Sequence, residues 1–196
     1  MALPVAICNP EGGALIFLDQ KAAFPSVAHN FLFWALENTH IPEDVLQVIK
    51  FLYANSFATI KFGISVPIHL PMYQGIKQGC PMSGTLWALL FDPVVRMISW
   101  KITYRSIRLS AYADDLALVL HSLSRGLPLV VGAFVLVAGA TMLELNFAKT
   151  AIVPLFHMPL QHLRQNLGRD CPEFAGAKLQ YYAKHLGSGN WATGPR

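Results

Sequence analysis

The stretch Ser110–Leu120, SAYADDLALVL, constrains this chain more than any other. Two apolar runs of strand length flank two adjacent carboxylates, Asp114 and Asp115. Runs this short and greasy read as buried strands, with Tyr112-Ala113-Asp114-Asp115 as the turn of a hairpin. Like charges side by side in an apolar setting repel each other and are poorly hydrated. The pair is therefore either a solvated hairpin tip or part of a divalent-cation site.

A second stretch favours the cation. Gly13–Asp19, GALIFLD, is another apolar run ending in a lone carboxylate. The chain has only 11 acidic residues in 196, yet three of them cap strands this apolar. Asp19 is far from the pair in sequence but can meet it on one sheet edge. Hard oxygen ligands from two strands, with positions left open to phosphate and water, suit Mg²⁺. Two such ions close together can activate a hydroxyl and stabilise a leaving pyrophosphate.

Composition narrows the setting. A hydrophobic content of 54% with 13% charged residues suggests a piece whose surface is normally covered by other segments. The net charge of +4 comes from scattered basic residues, compatible with nucleic acid and unlike a polybasic tail. Cys8, Cys80 and Cys171 are odd in number and widely spaced, so they suggest neither a disulfide framework nor a zinc site. They imply a reducing compartment, and Cys80 is expected to pack rather than react. Seven histidines lack metal-ligand spacing. Met1–Pro10 lacks the pattern of a signal peptide. The expected location is intracellular, nucleus or cytoplasm, and not secreted.

The apolar pattern predicts a strand ending at Asp19, a helix from Val27 to about Asn38 capped by Ser26, and a helix from Ile41 to about Asn55. Phe57–Phe62 and Val66–Leu70 read as a hairpin, and Pro81–Trp100 as a long helix with Leu86, Leu89, Leu90, Val94 and Met97 on its apolar side. The Asp-rich hairpin, a helix over about Ser124–Leu145 started by Pro128, a strand at Ala151–Leu155 and a helix around Leu160–Asn166 follow. A final strand is expected at Leu179–His185 and an unstructured tail over Gly187–Arg196.

In order along the chain stand Asp19-Gln20-Lys21-Ala22-Ala23-Phe24, then Gly75-Ile76-Lys77-Gln78-Gly79-Cys80-Pro81-Met82-Ser83, then Tyr112-Ala113-Asp114-Asp115, then Leu145-Asn146-Phe147-Ala148-Lys149-Thr150, then Lys184-His185-Leu186-Gly187. These resemble motifs A, B, C, D and E of reverse transcriptases, with a YADD form of motif C. Their order and spacing resemble the palm of LINE-type, non-LTR retrotransposon enzymes, RNA-directed DNA polymerases, over nearly the whole chain.

The resemblance implies an α+β fold: a polymerase palm with a small antiparallel sheet and helices packed on one face. It implies a lead-in over residues 1–12, a partial palm over 13–188 and a tail over 189–196. Fingers and thumb are expected to be largely missing, to be supplied by segments of a longer polyprotein. RNA template, DNA primer and dNTPs are the implied partners, and two Mg²⁺ ions, with Mn²⁺ as the alternative, the implied cofactors. Asp19 and Asp114 would hold both metals, with Asp115 in support and the Gln20 carbonyl as a further oxygen. Phe24, five residues after Asp19, matches the aromatic residue beneath the incoming sugar, where a flat ring excludes a 2′-hydroxyl. Gln78 and Gly79 match the pair beside nucleotide and template, and Tyr112 belongs with them in substrate binding. Lys149 would protonate pyrophosphate or pair with triphosphate, unless it is a solvated charge. Phe24 is otherwise core before a helix.

LINE-type sequences often read KAFD where this chain has Ala23-Phe24-Pro25, and the absent acid is not a metal ligand. Leu127–Leu143 imitates a membrane span at the lower length limit, but its place between motifs C and D implies a palm helix and no membrane. Two other readings stand beside the leading one. One is a catalytically inactive relic or nucleic-acid-binding palm. The other is an RNA-dependent RNA polymerase palm, against which Phe24 argues.

Overall fold

In the computed structural model, which describes residues 12–63, 66–103, 108–185 and 188–192, the chain opens with strand β1 (Ala14–Leu18). Helices α1 (Ala23–Ser26), α2 (His29–Glu37) and α3 (Glu43–Ala54) follow, then the hairpin of β2 (Phe57–Ile60) and β3 (Ile68–Pro71). Next come helix α4 (Ser83–Thr103) and the hairpin of β4 (Arg108–Tyr112) and β5 (Asp115–Leu120). Helix α5 (Leu123–Thr141), strand β6 (Ala151–Pro154), helix α6 (Leu160–Asp170) and strands β7 (Lys178–Leu179), β8 (Tyr182–His185) and β9 (Ser188–Ala192) succeed them.

The residues group into two units, Met1–Lys21 with Val95–Leu136 and Glu144–Arg196, and Ala22–Val94 with Val137–Leu143. The first holds a five-stranded sheet in the order β4-β5-β1-β6-β7. It is antiparallel except at the β6–β7 edge. Ala14, Ile16 and Leu18 of β1 lie opposite Leu120, Leu118 and Leu116 of β5, and all six are buried. Period-two alternation makes these one face of the sheet. Each buried leucine or isoleucine contributes about 1.5–3 kcal/mol. Leu15, Phe17, Ala117 and Val119, on the other face, are half-buried. At the start of α5 (Leu123–Thr141), a Cβ built on Gly126 would stand 2.8 Å from the Leu120 Cδ1 methyl, so a larger residue there would have to displace that side chain.

In the second unit α3 carries Glu43 and Asp44 in its first turn, where acids oppose the positive end of the helix dipole. The helix expected from Val27 to about Asn38 forms as α2, two residues late, and a short α1 precedes it. Ser26 closes the four-residue α1, donating its N–H to Ala22 O at 3.0 Å, and α2 starts at His29 after an uncapped Ala28. Val27 is extended because the backbone is used elsewhere: its carbonyl accepts the Gly75 N–H at 2.7 Å, and the Ala28 N–H donates to Thr141 O at 3.1 Å. The β2–β3 hairpin forms as expected and exposes nearly every residue.

Other expectations shift. Pro128 lies inside α5 rather than at its start. That helix ends at Thr141, whose hydroxyl donates to Val137 O and accepts the Leu143 N–H, while Met142 turns at φ +65°. Helix α5 is long and apolar enough to cross a membrane by length and composition, and Leu127 and Val130 within it are buried. The single strand expected at 179–185 is two, β7 and β8. Ser188–Ala192 is not a structureless tail but β9, paired antiparallel with β8. Residues 1–11 of the lead-in, Leu186–Gly187 of motif E and the last four residues lie outside the described residues.

Candidate active site

Motifs A, C and D meet at one end of the five-stranded sheet. Strand β1 runs antiparallel to both β5 and β6, so the exit of β1 lies beside the entrances of those two strands. Leu18 pairs with Leu116, and one residue beyond that pair come Asp19 and Asp115. Alternation puts both acids on the half-buried face. Asp115 in turn pairs with Tyr112, which closes a two-residue turn, Ala113-Asp114. Ala113 adopts φ +52°, a left-handed conformation that costs a non-glycine residue about 1–2 kcal/mol. Such strain persists where surrounding structure imposes it.

Gln20 supplies part of that imposition. Its buried side chain donates from Nε2 to the carbonyl of Asp114 at 3.0 Å. On the opposite flank the Asn146 N–H donates to Asp19 O and the Lys21 N–H to Glu144 O, both at 2.8 Å. Gln20 also forms a bridge with Leu145. Motif D is thus sewn to motif A by backbone bonds. Lys149 is exposed in the turn entering β6, and its N–H is held by Asn146 O at 3.1 Å. Lys21 pairs with Glu144 at 2.9 Å, both largely exposed, so that ion pair adds little.

Two polar atoms at this end are buried without a hydrogen-bond partner among the described residues, Asp19 Oδ2 and Gln20 Oε1. An unpartnered carboxylate oxygen out of water is costly. A hard cation is the partner that such an oxygen fits, with the exposed Asp114 and Asp115 alongside. The three carboxylates share this sheet end without closing into a set of three metal ligands, and no such set exists among the described residues. Asp114 and Asp115 instead face solvent, where water screens their repulsion.

Phe24, Gln78 and Gly79 belong to the other unit. The Phe24 carbonyl accepts the Ile76 N–H at 2.7 Å, which ties the end of motif A to the start of motif B. The half-buried Phe24 ring stacks on Trp87, centroids 4.5 Å apart at 18°, and Trp87 stacks on Phe91 at 4.9 Å and 25°. In motif B the Lys77 ammonium donates to Leu52 O at 2.8 Å and lies 5.4 Å from the Tyr53 ring centroid. Burial raises the Tyr53 hydroxyl above its ordinary value. The Ser83 hydroxyl donates to Lys77 O and closes the loop before α4. Gln78 and Gly79 are exposed at its tip. Gly79 adopts φ +83° with nothing within 4 Å of where a Cβ would stand, so it is required for its backbone angle. Beside this loop is a cavity of about 210 Å³ bordered by His29, Met72, Lys77 and Gln78.

Sequence reasoning missed Gln20 as a clasp on the hairpin, and it missed Trp87. The apolar side predicted for α4 holds for Leu86, Leu90 and Val94, while Leu89 and Met97 are half-buried. Trp87 and Phe91 are buried instead. The spacing of those two aromatics, one helical turn apart, was the available signal.

A small sheet that brings an acid-tipped strand beside an acid-tipped hairpin, with helices between, is a polymerase palm. Solved structures with this fold include telomerase from Candida tropicalis in complex with a fragment of telomeric RNA, with a TM-score of 0.59 and 15% identity over 76% of this chain and 27% of that one. The apo telomerase of the same organism, truncated from its C-terminal domain, gives 0.56 and 16% over 74% and 31%. The family described as reverse transcriptase (RNA-dependent DNA polymerase) matches residues 8–179, and the chain belongs to that family.

Among curated relatives, the uncharacterized 149 kDa protein of transposon TX1 of Xenopus laevis is 32% identical over 117 residues, 56% of this chain and 9% of that protein. The Pol polyprotein from the type-1 retrotransposable element R2 of Nasonia vitripennis is 27% identical over 113 residues, 56% of this chain and 11% of that protein. The chain spans about a tenth of the length of the curated relatives it matches. These matches support the resemblance to non-LTR retrotransposon reverse transcriptases.

Proposed function

We propose that this domain performs RNA-directed DNA synthesis, joining a primer 3′-hydroxyl to the α-phosphate of a dNTP on an RNA or DNA template. One observation carries the reading: Asp19 and Asp115 stand side by side one residue past the Leu18/Leu116 pair, and Asp19 keeps a buried oxygen with no hydrogen-bond partner among the described residues. Asp19 and Asp114 are the proposed ligands of two Mg²⁺ or Mn²⁺ ions, with Asp115 and the Gln20 carbonyl in support. When bound, such ions neutralise the charge that develops on the attacking and leaving oxygens. The protein otherwise positions reactants.

Lys149 donates a proton to, or pairs with, the departing pyrophosphate. Phe24 lies beneath the sugar and excludes a 2′-hydroxyl, Gln78 and Gly79 border nucleotide and template, and Tyr112 contacts the substrate. RNA template, DNA primer, dNTPs and the fingers and thumb segments of a longer polyprotein are the proposed partners. The proposed setting is intracellular, nucleus or cytoplasm.

Primer extension by this palm within a complete reverse transcriptase tests the proposal. Asp19→Asn and Asp114→Asn should each lower kcat by about 10³-fold or more while leaving the circular-dichroism spectrum unchanged. Near-parental extension by either variant overturns the assignment.

A further inference from the structure

We infer that Trp87 positions Phe24 and thereby helps set the choice between deoxyribonucleotides and ribonucleotides, an inference that rests on the reading of Phe24 as the residue beneath the incoming sugar. Phe24 has little local restraint. It sits in a four-residue helix between Ala22, at φ +45°, and the extended Val27. A ring that excludes a hydroxyl group must hold its place to a fraction of an ångström, because a rotamer change would admit the larger sugar.

The restraint comes from helix α4, directly after motif B. Trp87 is 3% exposed and meets the Phe24 ring almost face to face, at 4.5 Å and 18°. Trp87 is itself backed by Phe91, one turn further along α4, at 4.9 Å and 25°. Three rings thus form one column, two of them on a helix of 21 residues. The backbone bond from the Ile76 N–H to Phe24 O, at 2.7 Å, fixes the base of the third.

The indole itself argues that a flat ring is wanted here. Trp87 Nε1 is buried with no hydrogen-bond partner among the described residues. Leucine or methionine would fill apolar space without burying a polar N–H, so packing alone does not favour an indole. Its broad aromatic face is the property that a stacked neighbour uses.

The test is the ratio of GTP to dGTP dissociation constants for this palm within a complete reverse transcriptase, with Mg²⁺ and a dideoxy-terminated primer on its template. Trp87→Leu and Trp87→Met keep apolar bulk and lose the flat face. They should lower the ratio about fivefold to tenfold, through tighter GTP binding. Trp87→Phe, which keeps a ring, should stay within about twofold of the parent. A purely structural role would weaken both nucleotides alike, and that outcome overturns the proposal, as does an unchanged ratio.

Phe24→Val separates the two readings. If it leaves the ratio unchanged, Phe24 is not beneath the sugar and the proposal falls with that reading. If it lowers the ratio while the leucine and methionine variants do not, only the role of Trp87 falls. Fluorine NMR of the nucleotide-free chain labelled with 4-fluorophenylalanine gives a reading independent of binding. The Phe24 resonance, assigned by Phe24→Leu, should shift and broaden in Trp87→Leu and Trp87→Met. An unaltered Phe24 resonance in those variants overturns the proposal by itself.

Discussion

The Gln20 side-chain amide donates to the backbone carbonyl of Asp114 at 3.0 Å, across 94 residues of sequence. The bond fastens the turn of motif C to the residue directly after Asp19. It sets the position of Asp114 without touching its carboxylate. Gln20→Met should therefore act on rate more than on stability. Removing one hydrogen bond costs about 1 kcal/mol, but the substitution also removes the buried, unpartnered Oε1, so the melting temperature should stay within a few degrees. kcat should fall about tenfold as the turn loosens. Unchanged single-turnover rates would show that the turn holds Asp114 unaided.

Phe24→Val, placed in a complete reverse transcriptase, should raise ribonucleotide incorporation relative to deoxynucleotide incorporation by about two to three orders of magnitude. Asp114→Asn should lower both together, because a metal ligand has no bearing on sugar choice. Equal loss of both rates in Phe24→Val would mark Phe24 as a core residue.

The β2–β3 hairpin and its turn expose Phe62 by 66%, Val66 by 85% and Ile68 by 51%. Exposed large apolar side chains gathered on one edge hairpin drive association. Purified residues 1–196 should self-associate in light scattering. Phe62→Lys with Ile68→Lys should shift the population toward monomer, at a stability cost within about 0.5 kcal/mol per exposed site. Undiminished association would place the sticky surface elsewhere.

Cys171 and Cys80 should differ in reactivity. Burial, with Glu173 as a hydrogen-bonding neighbour, pushes the Cys171 thiol up to about 12 from its ordinary 9.0. Only the thiolate reacts. At pH 8 iodoacetamide should alkylate the half-buried Cys80 and spare Cys171 until the chain unfolds, read by peptide mass spectrometry. The folded value lies above the unfolded one, so this group's contribution is fully present below pH 9.0 and is lost as pH rises toward about 12. Melting temperature should fall across that window, and less steeply in Cys171→Ala. Equal labelling of the two thiols at pH 8 contradicts the buried placement.

Much of this fold was legible because it is local. The apolar runs Ala14–Leu18 and Leu116–Leu120 declare their strands, while the alternation that buries one face of each shows only in the folded sheet. Acids in the first turn of α3 mark its start. The order of the five motifs pointed to the family without any coordinates.

What a linear reading could not supply is whatever depends on partners distant in the chain. Ser26 has the chemistry of a helix cap, but Val27 and Ala28 leave the helix to bond Gly75 and Thr141. Residues 188–192 look like a polar tail until β8 offers them an edge. Lys178–Leu179 joins the sheet in the parallel sense, which no local period encodes.

The candidate site divides along the same line. Sequence by itself named Asp19, Asp114 and Asp115, because carboxylates at the ends of apolar strands are improbable without a task. Tertiary structure alone decided that Asp19 stands beside Asp115, that Gln20 clasps the intervening turn, and that Trp87 backs Phe24. Side-chain identity is written residue by residue, whereas a cross-strand register or a ring stack exists only once two remote segments are brought within a few ångströms.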